Sequence, residues 1–212
     1  DANRGGCAHS CRWLYNLYNA NKLISNDFDF QMSSKDLEAT KYIKYLLDLE
    51  ISSLKVEGRM KSIHYIATVI NTYRMMIDDY NNNCLRDISS YQEELKKAEN
   101  RLTSFGFYAG DTTTKQQLYN SRNESPTKEF IGIVKDYIKE TKTLIIQQRN
   151  YFEPNNIIEI LMPNKTIIQF KVNKLYDEDD NELDAARHPL QIIKIKLPVF
   201  VQKNSMVRKI LD

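Results

Sequence analysis

Thr143-Leu144-Ile145-Ile146-Gln147-Gln148-Arg149 and Gln191-Ile192-Ile193-Lys194-Ile195-Lys196-Leu197 are short apolar runs, rich in β-branched residues, of the kind that form strands. In the second run Lys194 and Lys196 alternate with Ile193, Ile195 and Leu197. A pleated chain sends alternate side chains to opposite faces, so the two ammonium groups share a solvent-facing side. Phe130–Val134, Asn156–Met162, Thr166–Asn173 and Met206–Ile210 repeat the pattern. Pro163-Asn164 and Asp179-Asp180-Asn181 supply turns between them. About six strands over residues 128–212 therefore predict a small β-domain, either closed or sandwiched.

Upstream the period changes. Residues 106–127 are dominated by Gly, Thr, Asn, Ser and Pro, and read as a linker. Residues 1–105 are helical in pattern with one strand embedded. A periodic run begins at Lys35-Asp36-Leu37 and continues through Leu47. Ile51-Ser52-Ser53-Leu54-Lys55-Val56-Glu57 reads as a buried strand stopped by Gly58. Ser62 to about Tyr80 is an amphipathic helix with Ile66, Val69, Ile70, Tyr73, Met76 and Ile77 on one stripe. Tyr91 to Leu102 forms one more helix. Helix, strand and helix with short links predict the closing units of a parallel α/β fold, so the chain as a whole is α/β plus all-β.

Composition bounds the function. The 212 residues carry 30 Lys+Arg against 28 Asp+Glu, a formal net charge of +2, with 42% hydrophobic residues. That is a folded, globular composition. No apolar run reaches the roughly 18–20 residues of a membrane span, which excludes an integral helical membrane protein. The charge balance excludes a basic nucleic-acid arm, but not a local basic face. Three cysteines argue against a disulfide scaffold and for the reducing cytoplasm. The opening Asp1-Ala2-Asn3-Arg4, with Cys7 and Cys11 crowded against it, reads as a start in mid-motif within a longer protein.

Two stretches can carry chemistry. Cys7 and Cys11, four residues apart, can point the same way from one helical turn and share a metal, although the spacing also occurs incidentally. Lys55 and Glu57 would project to one side of their strand, with Arg59 and Lys61 at its carboxyl end, where α/β folds place active sites. Arginine there suits bidentate capture of carboxylate or phosphate. The same residues also read as an ordinary solvated turn. No His-Glu-x-x-His or Gly-x-Ser-x-Gly motif is present, and His9, His64 and His188 read as packing or hydrogen-bonding residues. The acidic run Asp177–Asp180 reads as a solvated hairpin loop. Residues 128–212 are near neutral, so RNA binding there would require charge segregation. Lys194 and Lys196 would form the basic face, extended by Arg149, Arg187, Arg208 and Lys209, unless these cations only solubilise the sheet.

Asn3-Arg4-Gly5-Gly6-Cys7-Ala8-His9-Ser10-Cys11-Arg12-Trp13 resembles the cysteine segment of the U32 peptidase (collagenase-like protease) family. Ser34-Lys35-Asp36-Leu37 and Ser53-Leu54-Lys55-Val56-Glu57-Gly58-Arg59-Met60-Lys61-Ser62 follow in that family's order. Glu129-Phe130-Ile131-Gly132, Gln148-Arg149-Asn150 and Asp184-Ala185-Ala186-Arg187-His188-Pro189 resemble its C-terminal β-domain. The resemblance implies the C-terminal portion of a TIM-like α/β barrel over residues 1–105, followed by the β-barrel domain. It implies an enzyme of the tRNA-hydroxylating type, converting wobble uridine to 5-hydroxyuridine with prephenate as the source of the hydroxyl group. A collagenase-like peptidase and a module that only binds RNA are the alternatives. Lys55, Glu57 and Arg59 then fall in catalytic positions, and Lys35, Arg59 and Lys61 in substrate-binding ones. Cys7 and Cys11 fall where two of four iron–sulfur ligands would be, the other two belonging to an upstream Cys-x6-Cys segment. The implied partners are tRNA and a small dicarboxylate.

Overall fold

The computed structural model describes residues 6–25, 30–58, 61–98, 102–117 and 128–211. The chain forms two compact units, residues 1–45 with 100–125, and residues 46–99 with 126–212. The sequence boundaries at 105 and 128 follow composition, whereas the compact units group two helices with the sheet.

The first unit holds little regular structure. Strands β1 (Tyr18–Asn19) and β2 (Lys22–Leu23) form a hairpin. Its two-residue turn places Ala20 and Asn21 at positive φ, as the twist of a tight hairpin requires. β3 (Asp36–Leu37) and β4 (Thr103–Ser104) pair in parallel. The buried Glu38 accepts hydrogen bonds from the Thr103 hydroxyl at 2.6 Å and from Thr40. Tyr42 stacks on Tyr108 at 5.4 Å and meets the edge of Phe105 at 5.6 Å.

Helix α1 spans Ile43–Asp48, much shorter than the run expected from Lys35 to Leu47. The segment 51–58 is not a strand. Its side chains alternate as expected, with Leu54, Val56 and Gly58 half-buried and Lys55 and Glu57 exposed, but no neighbouring strand pairs with it. A strand is made by its hydrogen-bonded neighbour, and among the described residues none is placed beside this segment. Among the described residues the two-residue β3–β4 ladder is the only parallel pairing, so parallel barrel units are not seen.

Helix α2 (Ile63–Asn81) follows the expected span to within a residue, and α3 (Ile88–Lys96) starts and ends earlier than expected. The Ser62 hydroxyl caps α2 by accepting the Tyr65 amide hydrogen at 3.1 Å.

The β-domain has eight strands rather than six: β5 (Lys128–Ile138), β6 (Thr143–Gln148), β7 (Ile157–Leu161), β8 (Ile167–Lys171), β9 (Leu175–Tyr176), β10 (Glu182–Leu183), β11 (Ile192–Lys196) and β12 (Met206–Ile210). The order is β10-β9-β11-β6-β5-β12-β7-β8, antiparallel throughout. No ladder joins β8 to β10 among the described residues, so the expected barrel is an open sheet. Ile131, Val134, Leu144, Ile146, Ile193 and Ile195 bury the alternating face with Phe152 and Val207. Elsewhere the opposite face is covered as well, because β12 buries Met206, Val207 and Arg208 in succession. Register shifts at Val134/Asp136 in the β5–β6 ladder and at Val207/Arg208 in the β12–β5 ladder mark bulges that bend the sheet.

Candidate functional site

The turn ahead of α2 opens onto a groove of about 570 Å³. One wall is α2, through Ile63, Ile66, Ala67 and Ile70. The other is built by Leu161, Met162, Pro163 and Met206 of the β-domain. Its polar members are Lys61, Asn71, Arg74 and Asn204. The Lys61 ammonium lies 4.4 Å from the Tyr65 ring centroid. The Asn71 side-chain nitrogen is buried without a hydrogen-bond partner, a donor left open in the groove lining. Arg74 is committed, since its guanidinium holds Asp78 at 2.5 Å, and Lys165 contacts the same carboxylate. These contacts hold the Asp78 carboxyl below its usual range, the hydrogen bonds from Lys165 and Arg74 being the main cause.

Of the residues expected at this site, Lys61 lines the groove. Lys55 and Glu57 lie on the exposed segment before it and pair with each other at 3.3 Å. They share one side, as alternation requires, but from an unpaired stretch of chain rather than a barrel strand. Arg59 lies outside the described residues. Lys35 belongs to the other compact unit, where its amide donates to the Gln116 carbonyl at 2.9 Å.

Cys7 and Cys11 are free, exposed thiols on either side of His9, which adopts a left-handed backbone; Cys11 lies within the short 3-10 turn Ser10–Arg12. Thiolates in this setting suit a soft metal or a cluster. Two are too few: among the described residues, no group of three or more His, Cys, Asp or Glu side chains could hold a metal. The described residues alone therefore do not fit a complete iron–sulfur site.

The expected basic face of the β-domain is not a free one. Lys194 and Lys196 do share the outer side of β11, but the Lys194 ammonium bonds to Asp180 and to the Glu178 carbonyl, both at 2.7 Å. The acidic hairpin loop thus lies against the lysine that was expected to be segregated from it. Lys196 donates to the Thr143 hydroxyl at 2.7 Å. Arg187 grips Asp184 through both terminal nitrogens at 2.6 and 2.7 Å. Arg149 donates to the Gln147 side chain at 3.1 Å, and Lys209 pairs with Glu129 at 2.8 Å. Arg208 is fully buried and cannot meet a ligand on the surface.

Arg208 instead organises a buried ionic cluster that the sequence reading did not anticipate. Its guanidinium binds Glu159 of β7 and Glu94 of α3, each at 2.5 Å, and approaches the Thr68 hydroxyl of α2 at 3.5 Å. Lys97 bonds Glu94 at 2.5 Å and Glu159 at 3.5 Å, so two cations offset two carboxylates. Burial alone would raise the Glu94 pKa, but the charge of Arg208 and the hydrogen bonds from Lys97 and Arg208 outweigh it and hold the carboxyl below its usual range. His64 stacks on Phe130 at 5.1 Å, and its Nε2 has no partner. Burial, and then the Arg208 charge, lower its pKa from 6.5 to about 4, keeping the ring neutral at pH 7. A sequence signal did exist for one partner: Glu159 sits in the middle of an otherwise aliphatic strand.

The family model described as "Peptidase family U32" matches residues 1–118, and that described as "Peptidase family U32 C-terminal domain" matches residues 126–208. This chain belongs to peptidase family U32. The U32 chain is 41% identical over 219 residues to "tRNA hydroxylation protein P1" of Bacillus subtilis, covering 99% of this chain and 51% of that protein. It is 32% identical over 133 residues to "Collagenase" of Porphyromonas gingivalis, covering 62% of this chain and 37% of that protein. It therefore spans about half the length, or less, of these relatives. A solved structure, the C-terminal domain of a Geobacillus thermoleovorans U32 peptidase, is 44% identical, with a TM-score of 0.37, covering 38% of this chain and 91% of that one. No helix among the described residues is long and apolar enough to cross a membrane.

Proposed function

We propose that this chain acts within a tRNA-hydroxylating protein that converts wobble uridine to 5-hydroxyuridine, with prephenate as the source of the hydroxyl group. The observation that carries this reading is the 41% identity, over 99% of the chain, to a protein named for tRNA hydroxylation. The chemistry of the described residues agrees better with it than with peptide hydrolysis. A peptidase needs an activated nucleophile or a metal-bound water. The buried histidine, His64, is neutral at pH 7 and stacked on the Phe130 ring beside the Arg208 ion cluster, a packing role rather than that of a base. In this reading the helical portion belongs to a TIM-like α/β barrel, and the protein works in the cytoplasm, where tRNA is. Lys61 offers its charge to a carboxylate at the groove, and Cys7 and Cys11 are two ligands of an iron–sulfur cluster whose other ligands lie outside the described residues.

The test uses the longer natural protein in a strain lacking its own tRNA uridine hydroxylation. Mass spectrometry of bulk tRNA should show 5-hydroxyuridine with the wild-type protein. Lys61→Ala should lower the modified fraction about tenfold or more, the loss of one charge-assisted contact being about 1.5–3 kcal/mol. Cys7→Ser/Cys11→Ser should purify with less iron and sulfide than wild type. Absence of 5-hydroxyuridine with the wild-type protein, together with cleavage of collagen, would replace this reading with the peptidase one.

A further inference from the structure

We infer that the surface around Phe200, at the end of the β5–β6 hairpin, is a stacking platform for an unpaired RNA nucleotide flanked by lysines that meet its phosphates. The inference deepens the tRNA reading above by giving the substrate a docking surface, and it replaces the Lys194–Arg187 face. Phe200 is 54% exposed and Val199, beside it, 49%. Large apolar side chains are kept in water at a cost, and a pair of them next to cations marks a contact surface. The Phe200 ring meets the edge of Tyr137 at 5.6 Å and an angle of 88°. Tyr137 is itself anchored, its hydroxyl donating to the Leu197 carbonyl at 2.8 Å. The ring is thus braced from the side while more than half of the residue stays open.

Lysines outnumber carboxylates in the segments around it. The Lys139 ammonium lies 5.3 Å from the Phe200 ring centroid. Lys142 closes the same hairpin, and its carbonyl accepts the Leu197 amide hydrogen at 2.9 Å. Lys196 reaches the Thr141 carbonyl of that turn at 3.3 Å, and Lys203 follows Phe200 by three residues. None of Lys139, Lys142, Lys196 or Lys203 makes an ion pair with a carboxylate among the described residues. Glu140 and Asp136 are the nearby acids in sequence, and Asp136 accepts the Tyr137 amide hydrogen. By contrast, Lys174, Arg187 and Lys194, toward the acidic hairpin, are all paired with carboxylates.

An exposed ring beside the Lys139 ammonium, with Lys142 and Lys203 close to it in the chain and paired with no carboxylate among the described residues, matches single-stranded nucleic acid, which offers a base to stack and a phosphate on either side of it. A protein partner would more often require a pocketed anchor with arginine, which this surface lacks. Lys139 needs only to turn from the ring to a phosphate as the base arrives.

The test measures binding of the 212-residue chain to an unmodified tRNA transcript and to a single-stranded RNA of about 15 nucleotides, between about 50 and 200 mM salt. Phe200→Ala should weaken both about tenfold with the salt slope unchanged, because stacking releases no counterions. Lys139→Ala/Lys142→Ala/Lys203→Ala should flatten the slope by about 2, near 0.7 per lost phosphate contact on a single strand. Arg187→Ala should bind as wild type does. If wild type binds and both patch variants bind equally well, the assignment is overturned and the patch is left to a protein partner, while the tRNA reading stands. RNA binding that depends on Phe200, in a protein that produces no 5-hydroxyuridine, would keep the patch and overturn the hydroxylation reading. No RNA binding by wild type at low salt overturns the patch outright.

Discussion

Gly132 lies on β5 opposite Gln148 on one side and Val207 on the other, in the middle of a three-stranded ladder. A Cβ at this position would lie 2.5 Å from the Ile146 methyl and 2.8 Å from the Gln147 carbonyl oxygen. The methyl can rotate away, but the carbonyl belongs to the ladder and cannot. Gly132→Ala should therefore destabilise the β-domain by about 1–3 kcal/mol, the usual cost of overpacking a filled core. Thermal unfolding should show this as a fall of several degrees. An unchanged midpoint would mean that the β5–β6 spacing adapts. Lys194 shows the limit of residue-scale reading. Alternation places it correctly on the outer face, but the loop that neutralises it comes from fourteen residues earlier and is invisible to local pattern.

At the scale of elements, the contact of α2 and α3 with the sheet depends on Arg208. Its removal leaves Glu94 and Glu159 sharing Lys97 alone, two buried carboxylates facing one cation. Breaking such a cluster from one side costs far more than the intact cluster contributes. Arg208→Ala should lose about 3–5 kcal/mol in urea unfolding, while Arg208→Met/Glu94→Leu/Glu159→Leu should recover most of it. Arg208→Ala within about 0.5 kcal/mol of wild type would show that water already reaches the cluster. The main β-strands and α2 were legible because each carries its own period over at least five residues, and Met206–Ile210 matches to the residue. β9 and β10 were not, since two residues hold no period. Ile51–Glu57 has the alternation of a strand without a partner, and pairing is a non-local fact. At the candidate site, Lys61 lines the groove beside α2, whereas Arg208, read as a surface cation, is fully buried, because its partners come from distant elements.

For the molecule as a whole, the formal charges nearly cancel, so the pH dependence of stability comes from particular groups rather than from net repulsion. His64 is the clearest. Its imidazole titrates near 6.5 when unfolded and at about 4 when folded, because burial and the Arg208 charge oppose protonation. Arg208, Lys97, Glu94 and Glu159 are the charged groups around it; the two carboxylates favour the proton but do not prevail. Between those two pH values the unfolded chain holds more protons than the folded one, so stability rises with pH across the window and falls as the solution is acidified. The full effect is about 3 kcal/mol, present above pH 6.5 and lost toward pH 4. Glu94 acts lower down: with its folded pKa depressed, its contribution persists until the pH falls below the ordinary glutamate range. His64→Phe keeps an aromatic ring against Phe130 and removes the titration. Urea midpoints measured from pH 7 to pH 4.5 should fall steeply for wild type and remain nearly flat for the variant. Below pH 4.5, the ordinary glutamate value, both should decline as the unfolded chain's Glu94 takes up a proton that the folded carboxylate resists. A variant that retains the wild-type slope above pH 4.5 would locate the acid sensitivity elsewhere and show that the His64 imidazole is hydrated.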